Sequence, residues 1–312
     1  MTILDENSRG VFMVAATPFT EDGHIDLHST DRMIDFYLSA GVTGLTLLGM
    51  MGEANKLTAA ESATFVSHVA RRVAGRVPLV VGVSTPNFAA LGELARQAMD
   101  AGCAGVMVAP PTTVRTDDQI VQYFQNVARF LNGIPFVLQD FPLSTCVQMS
   151  MNVLKRIIAD IPSCVMLKHE DWPGLSKISQ LRQASEQGLL RRISILVGNG
   201  GLFLAEELER GADGAMTGFA FPEMMVEICA AHERGDRTRA RDLFDAYLPL
   251  MRYEQQPGIG LAIRKYVLAK RGVLASPALR EPRTLLSAAD VAEVDLLVER
   301  QLRKLREIGA WT

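Results

Sequence analysis

Six of the seven lysines in this chain lie in loops or on amphipathic stretches: Lys56, Lys155, Lys177, Lys265, Lys270 and Lys304. The seventh, Lys168, closes an apolar run, Val165-Met166-Leu167-Lys168. Taking an ammonium out of water disfavours its charged form, and burial can pull a lysine pKa down by roughly 3–5 units. The neutral amine is a nucleophile that adds to a ketone and forms a Schiff base. The competing use of such a residue is packing of its stem, with the head reaching water or the carboxylate of Glu170. A second feature is the turn Gly49-Met50-Met51-Gly52-Glu53. Two glycines around a tight turn expose backbone N–H groups that can hold a carboxylate, although an ordinary strand-to-helix loop has the same composition. The five histidines (His24, His28, His68, His169 and His232) show no metal-ligand spacing, and His169, next to Lys168, points to the opposite face of a strand. The chain contains no phosphate-binding GxxxxGK[ST] loop, no HExxH and no GxSxG. No metal site is expected.

The elements that position these residues follow from short β-branched runs. They are Val11–Ala16, Leu45–Leu48, Leu79–Val83, Gly105–Ala109, Phe136–Gln139, Val165–Lys168, Ile195–Gly198 and Gly214–Thr217. Each is too short for a helix and is bounded by Gly, Pro or polar residues, as in strands buried on both faces. Helical segments lie between them. Thr58-x-x-Glu61 is a capping box opening a helix towards Arg72, Asp26 caps a segment that ends before Gly41, and another runs from near Asn87 to before Gly102. Alternating strands and helices imply parallel strands with right-handed crossovers. A doubly wound nucleotide-binding sheet wants a glycine-rich turn after its first strand, and Ala16-Thr17-Pro18-Phe19 has none. The fold class predicted is therefore α/β, a (β/α)8 TIM barrel with a C-terminal helical extension. Residues 1–222 form the barrel, and residues 223–312 form a helical appendix packed on it, where Arg237–Tyr247 and Val291–Arg306 carry helical periodicity. In such barrels the active site lies at the C-terminal strand ends. Here those ends carry Thr17, Gly49 to Glu53, Ser84-Thr85, Pro110 to Thr113, Gln139-Asp140, Lys168, Gly198-Asn199 and Thr217-Gly218.

Composition narrows the partners. The chain has 312 residues, 48% of them hydrophobic and 21% charged, with a formal net charge of −3. A core of that size needs no disulfides or structural metal. The acidic lean argues against nucleic acid or an anionic membrane as partner, since phosphate binding needs a basic face. Cys103, Cys146, Cys164 and Cys229 are scattered without a CxxC pair, which fits reduced thiols in the cytoplasm. Met1-Thr2-Ile3-Leu4-Asp5-Glu6 carries no signal-peptide pattern, and no window reaches the ~18 apolar residues of a membrane span.

Eight βα units, a glycine-bounded turn ending in Glu53 and a lone lysine ending the sixth strand resemble the dihydrodipicolinate synthase/N-acetylneuraminate lyase family. The similarity runs from Gly10 through Gly272, with Thr17-Pro18-Phe19, Gly198-Asn199-Gly200 and Gly211-Ala212-Asp213-Gly214 as further landmarks. The resemblance implies class I chemistry without an external cofactor: Lys168 forms an imine with pyruvate or another 2-keto acid, and the imine drives bond changes at C3. It also implies a homo-oligomer, dimer or tetramer. Three departures bear on activity. The Tyr-Asn-x-Pro usual at strand five reads Gln139-Asp140-Phe141-Pro142, the two threonines of the turn are Met50 and Met51, and the tyrosine usual after strand four is replaced by Pro111-Thr112. A glutamine amide forms hydrogen bonds but has no useful pKa for acid–base work. Gln-Asp-x-Pro is similar to a divergent branch, the 2-keto-3-deoxy-L-arabonate dehydratases, as are Gly214-Ala215-Met216-Thr217-Gly218, Leu248-Pro249-Leu250 and Lys168-x-Glu170 followed by Pro173-Gly174.

The resulting expectation is a Schiff-base hydro-lyase acting on a 2-keto-3-deoxy sugar acid. The alternatives are an aldolase or a condensation with pyruvate, and a non-catalytic 2-keto acid sensor. Lys168 is the nucleophile, Gln139 orients the substrate, and Glu170 or Glu53 is the base. Thr17, Met50, Met51, Gly52, Thr112, Gly198 and Met216 are the expected binding residues, with the Met51 and Gly52 amides holding the C1 carboxylate.

Overall fold

The structure is a computed structural model that describes residues 3–311. Eight parallel strands close in sequence order into a barrel: β1 (Gly10–Val14), β2 (Gly44–Leu47), β3 (Leu79–Gly82), β4 (Gly105–Val108), β5 (Phe136–Asp140), β6 (Cys164–His169), β7 (Ser194–Val197) and β8 (Gly214–Ala215). Between them run α1 (Leu27–Ser39), α2 (Ala59–Val73), α3 (Phe88–Asp100), α4 (Asp117–Leu131), the short α5 (Pro142–Thr145), α6 (Met151–Asp160), α7 (Leu175–Glu186) and α8 (Leu204–Glu209). Four helices follow the last strand: α9 (Pro222–Glu233), α10 (Arg237–Glu254), α11 (Gly260–Lys270) and α12 (Ala288–Glu307). The (β/α)8 architecture read from the sequence is thus the observed one.

Local signals act as anticipated. The Thr58 side chain accepts from Glu61 N–H at 3.2 Å while Glu61 accepts from Thr58 N–H at 2.8 Å, closing the capping box of α2. Asp26 caps α1 through Ser29 N–H at 2.9 Å, and Asn87 caps α3. Strand alternation divides the core into two layers. Phe12, Val14, Val80, Met107, Val137, Met166, Leu196 and Met216 fill the lumen, and the second, larger layer lies between strands and helices. Gly44 makes room for the Phe12 ring, because a Cβ there would overlap it. Leu4 and Ala104 close the floor of the lumen, joined by Leu4 N–H to Ala104 O at 3.0 Å. No helix of the described residues is long and apolar enough to cross a membrane.

Candidate active site

The alternation that buries Val137 and Met166 in the lumen carries Gln139 and Lys168 to the same side, above them. The two are register partners on β5 and β6. Glu170, two residues beyond Lys168, returns to the lumen side. Lys168 Nζ lies 3.1 Å from Glu170 Oε2, and Gln139 Nε2 donates to the same oxygen at 2.7 Å. A carboxylate only accepts, so the glutamine must present its NH2 to Glu170, which leaves its carbonyl for another donor. Asn199 holds Glu170 from the other side, through its N–H to Oε1 at 3.4 Å and its Nδ2 to the Glu170 carbonyl at 3.0 Å. Lys168, Gln139 and Glu170 are 6%, 3% and 4% exposed, so their mutual attraction is weakly screened. Gly198 forms the wall behind them, since a Cβ at that position would overlap Cγ and Cδ of Glu170.

A cavity of about 890 Å3 reaches this cluster at Gln139. Leu48, Gly49, Met50, Met107 and Ser144 line its upper part, and it continues outward between α2 and α3. At the neighbouring rim Trp172 and Phe203 pack edge to face, with ring centres 5.6 Å apart. No group of three or more His, Cys, Asp or Glu side chains among the described residues is arranged to hold a metal ion.

The structure distributes the remaining sequence-derived candidates unevenly. Met50–Gly52 forms a single 3-10 turn in which Gly52 N–H donates to Gly49 O at 2.9 Å. The Gly52 amide, expected to hold a carboxylate, is therefore engaged within its own turn. Thr17 steadies that turn by donating to Gly52 O at 2.6 Å and is itself fully buried. Met51 packs on the lumen cluster, whereas Met50 is exposed and its sulfur receives the Ser144 hydroxyl at 3.0 Å. Met216 is lumen core, and Thr112 is exposed and lies off the cavity wall.

Glu53, the alternative base, has another role. Its Oε1 lies 2.6 Å from Lys265 Nζ, while Oε2 takes Lys56 Nζ at 3.0 Å and Arg280 N–H at 3.1 Å. Both oxygens are held in a buried ion cluster with Lys265, Lys56 and Arg280, apart from the Lys168 cluster. Lys265 was hidden in the sequence because α11 buries its Gly260, Ala262, Ile263, Arg264, Lys265, Val267 and Leu268 without a clean apolar stripe. Burial pushes the Lys265 ammonium down to about 8, against the opposing pull of Glu53. The pairing of Lys177 with Asp140 and Asp171, on the outer side of β5 and β6, was not anticipated, although Asp140 was placed at a strand end.

A family model described as the dihydrodipicolinate synthetase family matches residues 7–301. The chain belongs to this family. Its members are class I lyases, and the protein is an enzyme of that kind. Among curated relatives, an L-2-keto-3-deoxyarabonate dehydratase of Azospirillum brasilense is 30% identical over 301 residues, covering 95% of each chain. A 4-hydroxy-tetrahydrodipicolinate synthase of Thiobacillus denitrificans is 29% identical over 292 residues, covering 90% of this chain and 92% of the relative. The crystal structure of a dihydrodipicolinate synthase from Rhodopseudomonas palustris superposes with a TM-score of 0.94 at 51% identity, covering 96% of this chain and all of that one. Within the dihydrodipicolinate synthetase family, this member sets a glutamine and a glutamate around the strand-six lysine.

Proposed function

We propose that this enzyme is a cofactor-independent hydro-lyase that dehydrates a 2-keto-3-deoxy sugar acid through an imine on Lys168, and that it works as a homo-oligomer, a dimer or tetramer, in the cytoplasm. The observation that carries the reading is the buried contact of Lys168 with Glu170, whose carboxylate Gln139 and Asn199 orient. Glu170 accepts a proton from the Lys168 ammonium, the freed amine adds to the C2 ketone, and Glu170 returns that proton to the carbinolamine hydroxyl, which leaves as water to give the iminium and restore the carboxylate. Glu170 then takes a proton from C3. The electron pair collapses through the enamine and expels the C4 hydroxyl, which leaves as water with a proton returned from Glu170. Hydrolysis of the unsaturated imine consumes one water and frees Lys168, so the net change is loss of one water. The Met51 amide holds the C1 carboxylate, and the Gln139 carbonyl accepts a substrate hydroxyl. Water as leaving group carries protons itself, which fits a site with Gln139 in the position of the family's usual tyrosine. Similarity to the Azospirillum brasilense dehydratase supports the same assignment.

Trapping tests it. Incubation with a 2-keto acid and borohydride yields a mass adduct on Lys168, and Lys168→Ala yields none. An adduct that survives in Lys168→Ala, or no adduct in the unaltered enzyme, rejects the imine. Faster turnover of an aldol cleavage substrate than of any 3-deoxy-2-keto sugar acid moves the assignment to an aldolase. Tight binding of a 2-keto acid without turnover of any substrate moves it to a sensor.

A further inference from the structure

Asp140, the partner of Gln139 in the Gln-Asp-x-Pro motif, has no part in the chemistry above. It turns away from the lumen and is fully buried. Lys177, from α7, places Nζ 3.1 Å from Asp140 Oδ2 and 2.6 Å from Asp171 Oδ2. Asp140 ends β5, and Asp171 directly follows Glu170 beyond β6. One ammonium therefore bridges the two strand ends that carry Gln139 on one side and Lys168 with Glu170 on the other. The backbone joins the same ends, through Glu170 N–H to Asp140 O at 2.9 Å. A second tie binds α7 to β6, where the buried His169 Nε2 donates to Gly174 O at 3.1 Å. A side chain at Gly174 would overlap the imidazole, so the close approach depends on glycine.

This cluster is an inefficient source of stability. Two buried carboxylates share one ammonium, Asp140 Oδ1, Asp171 Oδ1 and His169 Nδ1 have no hydrogen-bond partner among the described residues, and His169 Nδ1 lies 3.8 Å from Asp140 Oδ2. Desolvating such ions costs about as much as their attraction returns. What the cluster does supply is a fixed spacing between β5 and β6. We propose that Lys177 and Asp140 are positioning residues, which clamp the strand ends from behind so that Gln139, Glu170 and Lys168 meet at bonding distance. The proposal rests on the imine reading, since it concerns the geometry of that reaction.

The test is the rate of borohydride-trapped adduct formation with pyruvate, measured against pyruvate concentration. Lys177→Met is expected to slow the saturating rate about 10- to 100-fold, as a misplacement on the order of 1 Å would, and to leave the half-saturating concentration within about twofold. Lys177→Arg recovers most of the rate. Because Lys177→Met strands two buried carboxylates, the charge-free variant Asp140→Asn/Lys177→Met/Asp171→Asn is measured beside it. That variant carries no uncompensated ion but also no clamp, and is expected to be slow as well. An unaltered rate in the charge-free variant overturns the proposal. So does a parallel loss of rate and affinity that Lys177→Arg fails to rescue. Absence of an adduct in the unaltered enzyme overturns the imine reading, and this inference with it, whereas normal trapping in every variant overturns this inference alone.

Discussion

Glu170 is the residue on which the site converges, receiving Lys168, Gln139 and Asn199 within one buried cluster. Its position depends on the missing side chain of Gly198, where a Cβ would overlap the Glu170 carboxylate. The demand for glycine there is steric. Gly198→Ala is therefore expected to displace the carboxylate and lower turnover about 10- to 100-fold, with the melting temperature shifted by only a few degrees. Unaltered turnover in a folded Gly198→Ala enzyme would remove Glu170 from the role of base. Legibility at this scale followed chemical rarity. Lys168 stood out because it was the one lysine ending an apolar run, and Glu170 entered as a nearby carboxylate able to meet its head. Lys265 and Lys177 did not stand out, because their carboxylate partners Glu53, Asp140 and Asp171 come from other elements. Only the tertiary fold brings such charges together.

At the scale of elements, α8 carries an unusual burden. Glu207 is 6% exposed, its Oε2 has no partner among the described residues, and its carboxyl is pushed up to about 8, first by burial and then by Glu206 and Glu170. Its folded pKa lies above the ordinary value of 4.5, so the folded protein keeps a proton that the unfolded chain releases. The linked stability is complete below that ordinary value and declines as pH rises towards 8. Glu207→Gln, which keeps shape and hydrogen-bonding capacity, removes the dependence. The melting temperature of the variant relative to the unaltered enzyme should therefore rise steadily between pH 5 and pH 8. With about 1.4 kcal/mol per pKa unit, the difference reaches a few kcal/mol at the upper end. A flat difference across that range would mean that Glu207 is ionised in the fold. All eight strands were legible as short apolar runs because a parallel strand buried on both faces admits few polar residues. Their ends were less so. β8 stops at Ala215, two residues short of expectation, and beyond it Thr217 accepts the Gly200 N–H at 2.8 Å. The 3-10 turn at Met50–Gly52 is too short to leave any periodicity.

At the scale of the whole molecule, the helices after β8 reach back to the barrel mouth. Arg264 pairs with Glu254 at 2.6 Å and donates to the Gly218 carbonyl in the loop after β8, while Lys265 enters the Glu53 cluster. Arg280 adds its backbone N–H to Glu53 and its guanidinium to Glu61 at the start of α2. The turn proposed to hold the substrate carboxylate is thus braced by residues more than 200 positions away in sequence. Lys265→Met leaves Glu53 buried with a weaker set of partners. Loss of one member of a buried pair costs about 3–5 kcal/mol, expected as a clear fall in melting temperature. Glu53→Gln/Lys265→Met should regain part of that loss, because the buried carboxylate goes together with its buried ammonium while Lys56 keeps the Arg280 and Pro282 carbonyls. The functional signature is the reverse of the Lys177 variants. The keto acid concentration at half-saturation rises severalfold while the saturating trapping rate holds, since the carboxylate turn loosens and the Lys168 cluster stays in place. If Lys265→Met instead slows the saturating rate at unchanged half-saturation, the C-terminal helices act on the lysine cluster and the turn has been assigned the wrong role.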